Sequence, residues 1–526
     1  MTDGASIAGG VVPFAPLDAV AGGVQPHWRR QLLVVAAIVA LYLPLLWAPF
    51  DFSDDGNLVY PTPPMALRER AALTWQKIVA NYEHLGPFRP VLWLHWELAA
   101  ELLGADAVRW RLCRMTWLAL SCAELLWLLR ELRLGVSASA VATALAVWSA
   151  APSEIWRSLT LSEGVAMPYA LGALICAVRG GRSARPARWD LAGALCALAA
   201  LGCKNTFAAI VPAQLLLRVA PDGEAFAAAI RQRGRRAVLL ALPLLLPMIH
   251  FAIFQRGWHP GQYVAGLPRW RQFAAMLDRV QAGVSLWFVA PALIAALLAL
   301  ISADARSHGS SEATTPALRR VWRHHRAANR AALALLVFGI GIYLPMPSAA
   351  GRYAIPALWG AVLLIAALAS EAEHGGERRW TMRMFVLFGV ALTVVAVGNL
   401  SRQEKFIARN AMLWDALYVV EQQAGRGDGI AWQSGPDLGL EEGIHFFWHL
   451  QRRGRADLAI QLLDGAGQVQ LRPEVPTGAP PPTFVLTGPR DTPALQGAWT
   501  VTQRFSRSFR FGLRQFDCLV WRRSGG

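Results

Sequence analysis

Between residues 31 and 400 the chain runs through eleven apolar stretches, near 31–50, 110–129, 137–151, 161–178, 189–203, 206–217, 237–255, 283–302, 331–346, 354–370 and 384–400. No other feature limits the fold as strongly. A hydrocarbon core of about 30 Å takes roughly 20 apolar residues as a helix, and backbone polar groups inside it must be paired within the segment. The expected fold class is therefore mainly α: a polytopic transmembrane helical bundle of about eleven spans. Several stretches are shorter than a full span, which predicts tilted helices or helices half-buried in protein. Composition agrees, since 16% of the 526 residues are charged where a soluble chain carries about a quarter.

The basic residues set the expected orientation. Segments on the N-terminal side of the eleven spans hold 22 Lys and Arg, including "RGGRSARPAR" and "RRVWRHHRAANR", and those on the other side hold 11. The positive-inside rule then puts the N-terminus in the cytoplasm and the other face outside, in the plasma (bacterial inner) membrane. Two pairs of stretches read as hairpins: 189–218 turning at Lys204-Asn205, and 331–370 turning at "PSAAGRYAIP". The net charge of +16 lies between apolar segments rather than on one amphipathic face, so nucleic acid is not expected as a partner. The first stretch is of span length with no small-x-small cleavage site after it, and reads as an uncleaved span. Residues 1–30 form a cytoplasmic tail, 31–400 the membrane domain with a long first external loop at 51–108, and 401–526 a periplasmic domain. In that last segment the strand-like runs "GIAWQSG" and "TFVLTGP" flank the amphipathic "GLEEGIHFFWHLQRRG", which predicts a soluble α/β domain.

No CxxC occurs among the six cysteines, so neither a zinc knuckle nor a disulfide framework is supported. His445 and His449 stand at i, i+4, but without an intervening Glu or a third ligand they read as packing residues. The charges at the outer turns carry more. Asp54 and Asp55 leave the first span; Arg89, Glu154, Lys204 and Arg352 with Tyr353 follow at later outer turns. Ionisable groups at membrane depth cost several kcal/mol unless paired or functional. Each has a plainer reading: "SDDG" as a turn, Arg89 and Arg352 as lipid-headgroup anchors, Lys204 as a snorkelling helix end, Tyr353 as a belt residue. Glu124, within the second span and on one helix with Arg114, reads as a structural polar contact.

In this order the residues resemble the C-type glycosyltransferase superfamily, polytopic enzymes that use lipid-phosphate sugars, and most closely its protein O-mannosyltransferase-like branch. The resemblance covers most of 31–360. It rests on "SDDGNLVY" after the first span, "FRPVLWLHWELAAELLGADAVRWRLCRMTWLAL", "LRELRLGVSASAVATALAVWSAAPSEIWR", "LGCKN" and "GRYAIP". The acidic pair is Asp-Asp rather than the Asp-Glu of some branches, and Tyr60 falls later than in the aminoarabinose-transferase pattern, so no substrate is inherited. The resemblance implies transfer of a sugar from a polyprenyl-phosphate donor to an acceptor hydroxyl or amine on a glycan, lipid or protein at the outer face.

Such chemistry needs one carboxylate to take the acceptor's proton and cations to hold the departing phosphate. Asp54 is the expected base, with Asp55 orienting the acceptor or substituting. Lys204, Arg352 and Arg89 form the expected phosphate clamp, and Tyr353, Glu154 and Tyr60 support it. No cofactor is required; a divalent metal is compatible with the carboxylates, though no spacing demands one. The alternative is a transporter or flippase of lipid-linked sugars, which would place polar residues near the midplane on broken helices within repeats. A third reading is a glycan receptor built on residues 401–526.

Overall fold

The computed structural model describes residues 28–52, 55, 66–85, 88–222, 229–231, 240–246, 249, 269–307, 317–342, 351–435, 438–466, 468–471, 481–489, 491, 493–495, 497–509 and 512–524. The first apolar stretch is not one helix. Helix α1 (Trp28–Ala40) ends where Pro44 approaches, and a 3-10 turn, Leu43–Trp47, replaces it. Proline removes an N–H and clashes with the carbonyl four residues back, here that of Ala40. Two helices of the 51–108 segment follow, α2 (Leu67–Leu85) and α3 (Pro90–Leu103), tied together by ion pairs Arg70–Glu101 at 2.5 Å and Lys77–Glu97. The bundle continues with α4 (Ala107–Glu131), α5 (Val136–Trp148), the short α6 (Ala150–Arg157), α7 (Ser162–Arg182), α8 (Pro186–Cys203) and α9 (Ile210–Val219). Then come α10 (Arg269–Gly283), α11 (Leu286–Ser307), α12 (Ala317–His324), α13 (Arg326–Gly341), α14 (Ile355–Gly375) and α15 (Arg378–Gln423).

Among the described residues, five helices are long and apolar enough to cross a membrane: α4, α7, α11 over Leu286–Ala303, α14 with the turn before it over Arg352–Gly375, and α15. The pair α5 and α6, bent by 62°, makes a sixth if counted as one span. The other expected spans are shorter or, for α8, less apolar elements, and 237–255 lies mostly outside the described residues. Close packing holds the bundle: a Cβ on Gly339 would lie 2.6 Å from the Ala357 nitrogen, and one on Gly360 2.5 Å from the Ala332 oxygen, so only glycine lets α13 and α14 approach this far.

Side-chain pairs reveal two ends of the bundle. At one end, Glu131 closing α4 pairs with Arg179 at 2.7 Å and with Arg182, both closing α7. Asp190, opening α8, pairs with Arg218, closing α9, at 2.5 Å, so these two helices start and finish together. Glu371 near the end of α14 meets His324 at the end of α12 at 3.0 Å, and Glu373 meets Ser137 at the start of α5. At the opposite end stand the start of α4, α6, the start of α7, the α8–α9 turn and the turn before α14.

α15 joins membrane bundle to C-terminal domain without a break. Its 46 residues span about 69 Å at 1.5 Å per residue, more than twice the hydrocarbon thickness. Its first half shows an exposed apolar stripe, Met382, Val386, Val390, Val394 and Val397; in its second half Met412, Leu413, Ala416, Leu417 and Val420 are buried in the core of the C-terminal domain. The change of composition at Leu400 falls inside this helix. The domain holds a six-stranded sheet of order β3-β2-β1-β4-β6-β5, with β1 (Gly429–Gln433), β2 (Ala459–Leu463), β3 (Val469–Leu471), β4 (Pro482–Thr487), β5 (Trp499–Phe509) and β6 (Arg514–Arg523). β1 runs parallel to β2 and β4; the other pairs are antiparallel. Helix α16 (Leu440–Arg452) makes the crossover between β1 and β2. All five residues of β1 are buried, because helices cover one face of the sheet while Leu495, Trp499 and Trp521 pack over the other.

Candidate functional site

The acidic segment after the first stretch is held from two directions. Phe52 is buried in the core of the C-terminal domain, 5.1 Å from the Trp414 ring and 5.0 Å from that of His449. Its N–H donates to Asn410 Oδ1 (3.2 Å), and Trp414 Nε1 donates to the Phe50 carbonyl (3.0 Å). Three residues on, Asp55 is fully buried and faces the other way. Its Oδ2 accepts the Asp51 N–H (3.0 Å), its Oδ1 accepts the Leu159 N–H (3.1 Å), and Arg111 lies 3.8 Å away. Asp55 therefore staples the segment to the loop after α6. Asp54 and Tyr60 lie outside the described residues.

α6 is the platform. The last carbonyls of a helix lack intrahelical partners, and here two arginines one turn apart on α4 supply donors. Arg111 donates to the Arg157 carbonyl and, at 2.9 Å, to that of Pro49. Arg114 donates to the carbonyls of Ile155 (2.7 Å) and Leu161 (2.8 Å). Gly164, in the first turn of α7, leaves room for the Arg114 guanidinium, into which any Cβ would collide. Arg114 faces these carbonyls, whereas Glu124 on the same helix faces the α7–α8 side, near Gly172.

Beyond α6 the remaining charges gather. Lys204 ends α8 in extended conformation, is buried, and pairs with Glu163 of α7 at 2.9 Å. Its ammonium sits over the Tyr353 ring, 4.6 Å from the centroid, and the Arg352 guanidinium lies 5.5 Å from the same ring. Arg352 pairs with Glu154 of α6 at 2.8 Å. Arg89, preceding α3, is within electrostatic reach of Lys204, and its Nε is buried without an acceptor among the described residues. The two clusters join: Arg114 is within reach of both Asp55 and Glu163, and Arg157 of both Asp51 and Glu154. Cations and carboxylates thus alternate around α6.

Lys204, Arg352, Tyr353, Arg89 and Glu154, on four separate elements, come together at one end of the bundle. Glu163 and Arg111 went unnoticed in the sequence because they fall inside or beside apolar stretches, and Arg114, expected beside Glu124 as a structural contact, turns instead to the carbonyls of Ile155 and Leu161. The signal available was the acid itself, since a carboxylate within an apolar segment implies a partner. Among the described residues, no third metal ligand stands with His445 and His449. His449 is wedged between the rings of Trp414 (4.8 Å) and Phe52, and His445 lies edge-on to Trp448 (5.0 Å). Burial, with the charge of Arg452 nearby, pulls His445 down to about 4 and His449, also beside His445 and Arg453, to about 3.

No family model and no curated protein matches the chain. Among solved structures, the chain is similar to ArnT from Cupriavidus metallidurans, crystallised in the apo state, with a TM-score of 0.47 and 11% identity, over 94% of this chain and 97% of that one.

Proposed function

We propose that this chain is an integral membrane glycosyltransferase that moves a sugar from a polyprenyl-phosphate donor to an acceptor at the outer face of the membrane. The observation that carries the reading is the convergence of Arg89, Lys204 and Arg352 at one end of an apolar bundle, facing two carboxylates. The buried Arg89 Nε there lacks an acceptor among the described residues. A phosphate oxygen would supply one, and guanidinium–phosphate hydrogen bonds are charge-assisted.

In the reaction, the acceptor oxygen or nitrogen forms a bond to C1 of the sugar as the C1–O bond to phosphate breaks. The electron pair leaves on the polyprenyl phosphate, which gains a negative charge. Arg89, Lys204 and Arg352 bind that charge more strongly than the donor's, which is how fixed cations lower a barrier. The acceptor's proton passes to Asp54, the general base. Asp55 holds the segment that presents Asp54; its oxygens are engaged by the N–H groups of Asp51 and Leu159, so it positions rather than reacts. Tyr353 supports Lys204, Glu154 orients Arg352, and Tyr60 lies in the same acidic segment. No cofactor enters these steps.

Purified protein with a radiolabelled polyprenyl-phosphate sugar and a membrane extract as acceptor source tests the proposal. Asp54→Asn should lower transfer by a factor on the order of 10² to 10⁴, the worth of general-base catalysis, with donor binding retained. Asp55→Asn should cost less. An equal loss in both, reversed by metal and reproduced by chelator, would instead make the pair metal ligands. Full transfer in both variants would sink the proposal, and donor flux without a covalent product would make the chain a transporter.

A further inference from the structure

Helix α10 carries three stripes where a buried or a soluble surface helix carries two. At 3.6 residues per turn, Met276, Val280 and Gly283 share one stripe: Met276 and Val280 pack with Ala354 and Ala357, Tyr353 alongside, and Gly283 faces Leu358. The adjoining stripe is apolar yet open: Trp270 is 65% exposed, Phe273 45% and Leu277 44%. The remaining arc holds Arg271, Asp278 and Arg279, all exposed. In water the second stripe would be polar; inside a bilayer the third would not be charged.

We propose that α10 lies in the plane of the membrane surface with Trp270, Phe273 and Leu277 seated in the lipid. Three further features support lipid as the occupant. The apolar stripe continues into α11, where Leu286, Trp287, Phe288 and Ile294 are exposed along a helix apolar enough to span. The junction turns at Ser285, whose φ of 53° breaks the helical path. Arg271 stacks on Trp270 at 5.2 Å, a pairing of cation and amphipathic ring suited to the headgroup level, where interfacial helices place both.

This seating bears on the site, because the buried stripe packs beside Tyr353, the ring under Lys204. That consequence rests on the proposed function; the membrane contact does not. The test uses nitroxide labels on single cysteines introduced at 270, 273, 277 and 278, with the full chain in phosphatidylethanolamine–phosphatidylglycerol vesicles. Labelling of the parent, whose six cysteines are buried or half-buried, is subtracted. Labels at 270, 273 and 277 should collide severalfold more with dissolved oxygen, relative to a water-soluble nickel chelate, than the label at 278. Equal chelate access at all four positions would place α10 in water. Shielding of 270, 273 and 277 from both relaxants would mean a protein surface, such as a second copy of this chain. Either result overturns the proposal whatever the chain's activity.

Discussion

Lys204 has two calls on its ammonium: the Glu163 carboxylate at 2.9 Å and, in the proposed reaction, the donor phosphate. The two can be separated. Glu163→Gln leaves a buried cation uncompensated, and Lys204→Met leaves a buried anion, so each should destabilise the protein by about 3–5 kcal/mol. In the double variant neither charge is stranded, and the coupling should return roughly 1–3 kcal/mol of that. Thermal unfolding in detergent reads the cycle; strictly additive losses would mean that the pair does not interact energetically. Donor use should remain impaired in the double variant, because removing Glu163 restores no phosphate ligand. Recovery of donor use together with stability would reduce Lys204 to a structural ion. The cations of the site were legible in the sequence because they interrupt apolar runs at turns. Glu163 was not, and Arg114 was set with Glu124 rather than with the carbonyls it meets 41 and 47 residues away in the chain, because only folding brings such partners together.

At the scale of elements, the acidic segment depends on a side chain that points away from the membrane domain. Phe52 fills a space bounded by Trp414 of α15 and by Phe446 and His449 of α16, so α15 and α16 fix the entry to the loop carrying Asp54. The strands at "GIAW" and "TFVLT" and the helix between them could be read from alternation and amphipathicity. The Phe52 contact could not, because a lone aromatic after an apolar stretch looks like more of the stretch. The break at Pro44 was readable in principle, but hydrophobicity alone hides it. His449 makes this seat acid-sensitive. Its folded value of about 3, and that of about 4 for His445, lie below the unfolded value near 6.5. The unfolded chain therefore takes up protons first, and stability falls as pH drops through the window from about 6.5 toward 4. At pH 5 each histidine should cost about 2 kcal/mol. Limited proteolysis between pH 7 and 5 should show the C-terminal domain loosening, and His449→Phe should shift that loosening to lower pH. An unchanged acid midpoint in His449→Phe would remove the histidine from the account.

At the scale of the whole molecule, the two ends of the bundle differ in chemistry, and this sets what a bilayer can do with it. One end gathers Glu131, Arg179, Arg182, Asp190, Arg218, His324 and Glu371. The other carries Lys204, Arg352, Glu154 and Asp55, and from it α15 continues into the sheet domain. The arginine count along the chain anticipates such a polarity, since loops on one side of alternating spans carry twice the basic residues of the other. What it leaves open is the joining of the two parts, because a composition change cannot tell a flexible linker from the middle of a helix. A continuous α15 predicts that the C-terminal domain and the cation cluster lie on the same side, with the arginine-rich loops opposite. Leu513, 84% exposed in the β5–β6 turn, and Ala184, exposed in the loop between α7 and α8, report on the two sides. A cysteine at 513 should react with a membrane-impermeant thiol reagent added to sealed cells, and one at 184 should react only after permeabilisation. Reaction of both in sealed cells would contradict the alternation of the helices. Reaction of 184 alone would keep the bundle but turn it over, moving the proposed site to the cytoplasmic face, where an outer-face acceptor could not reach it.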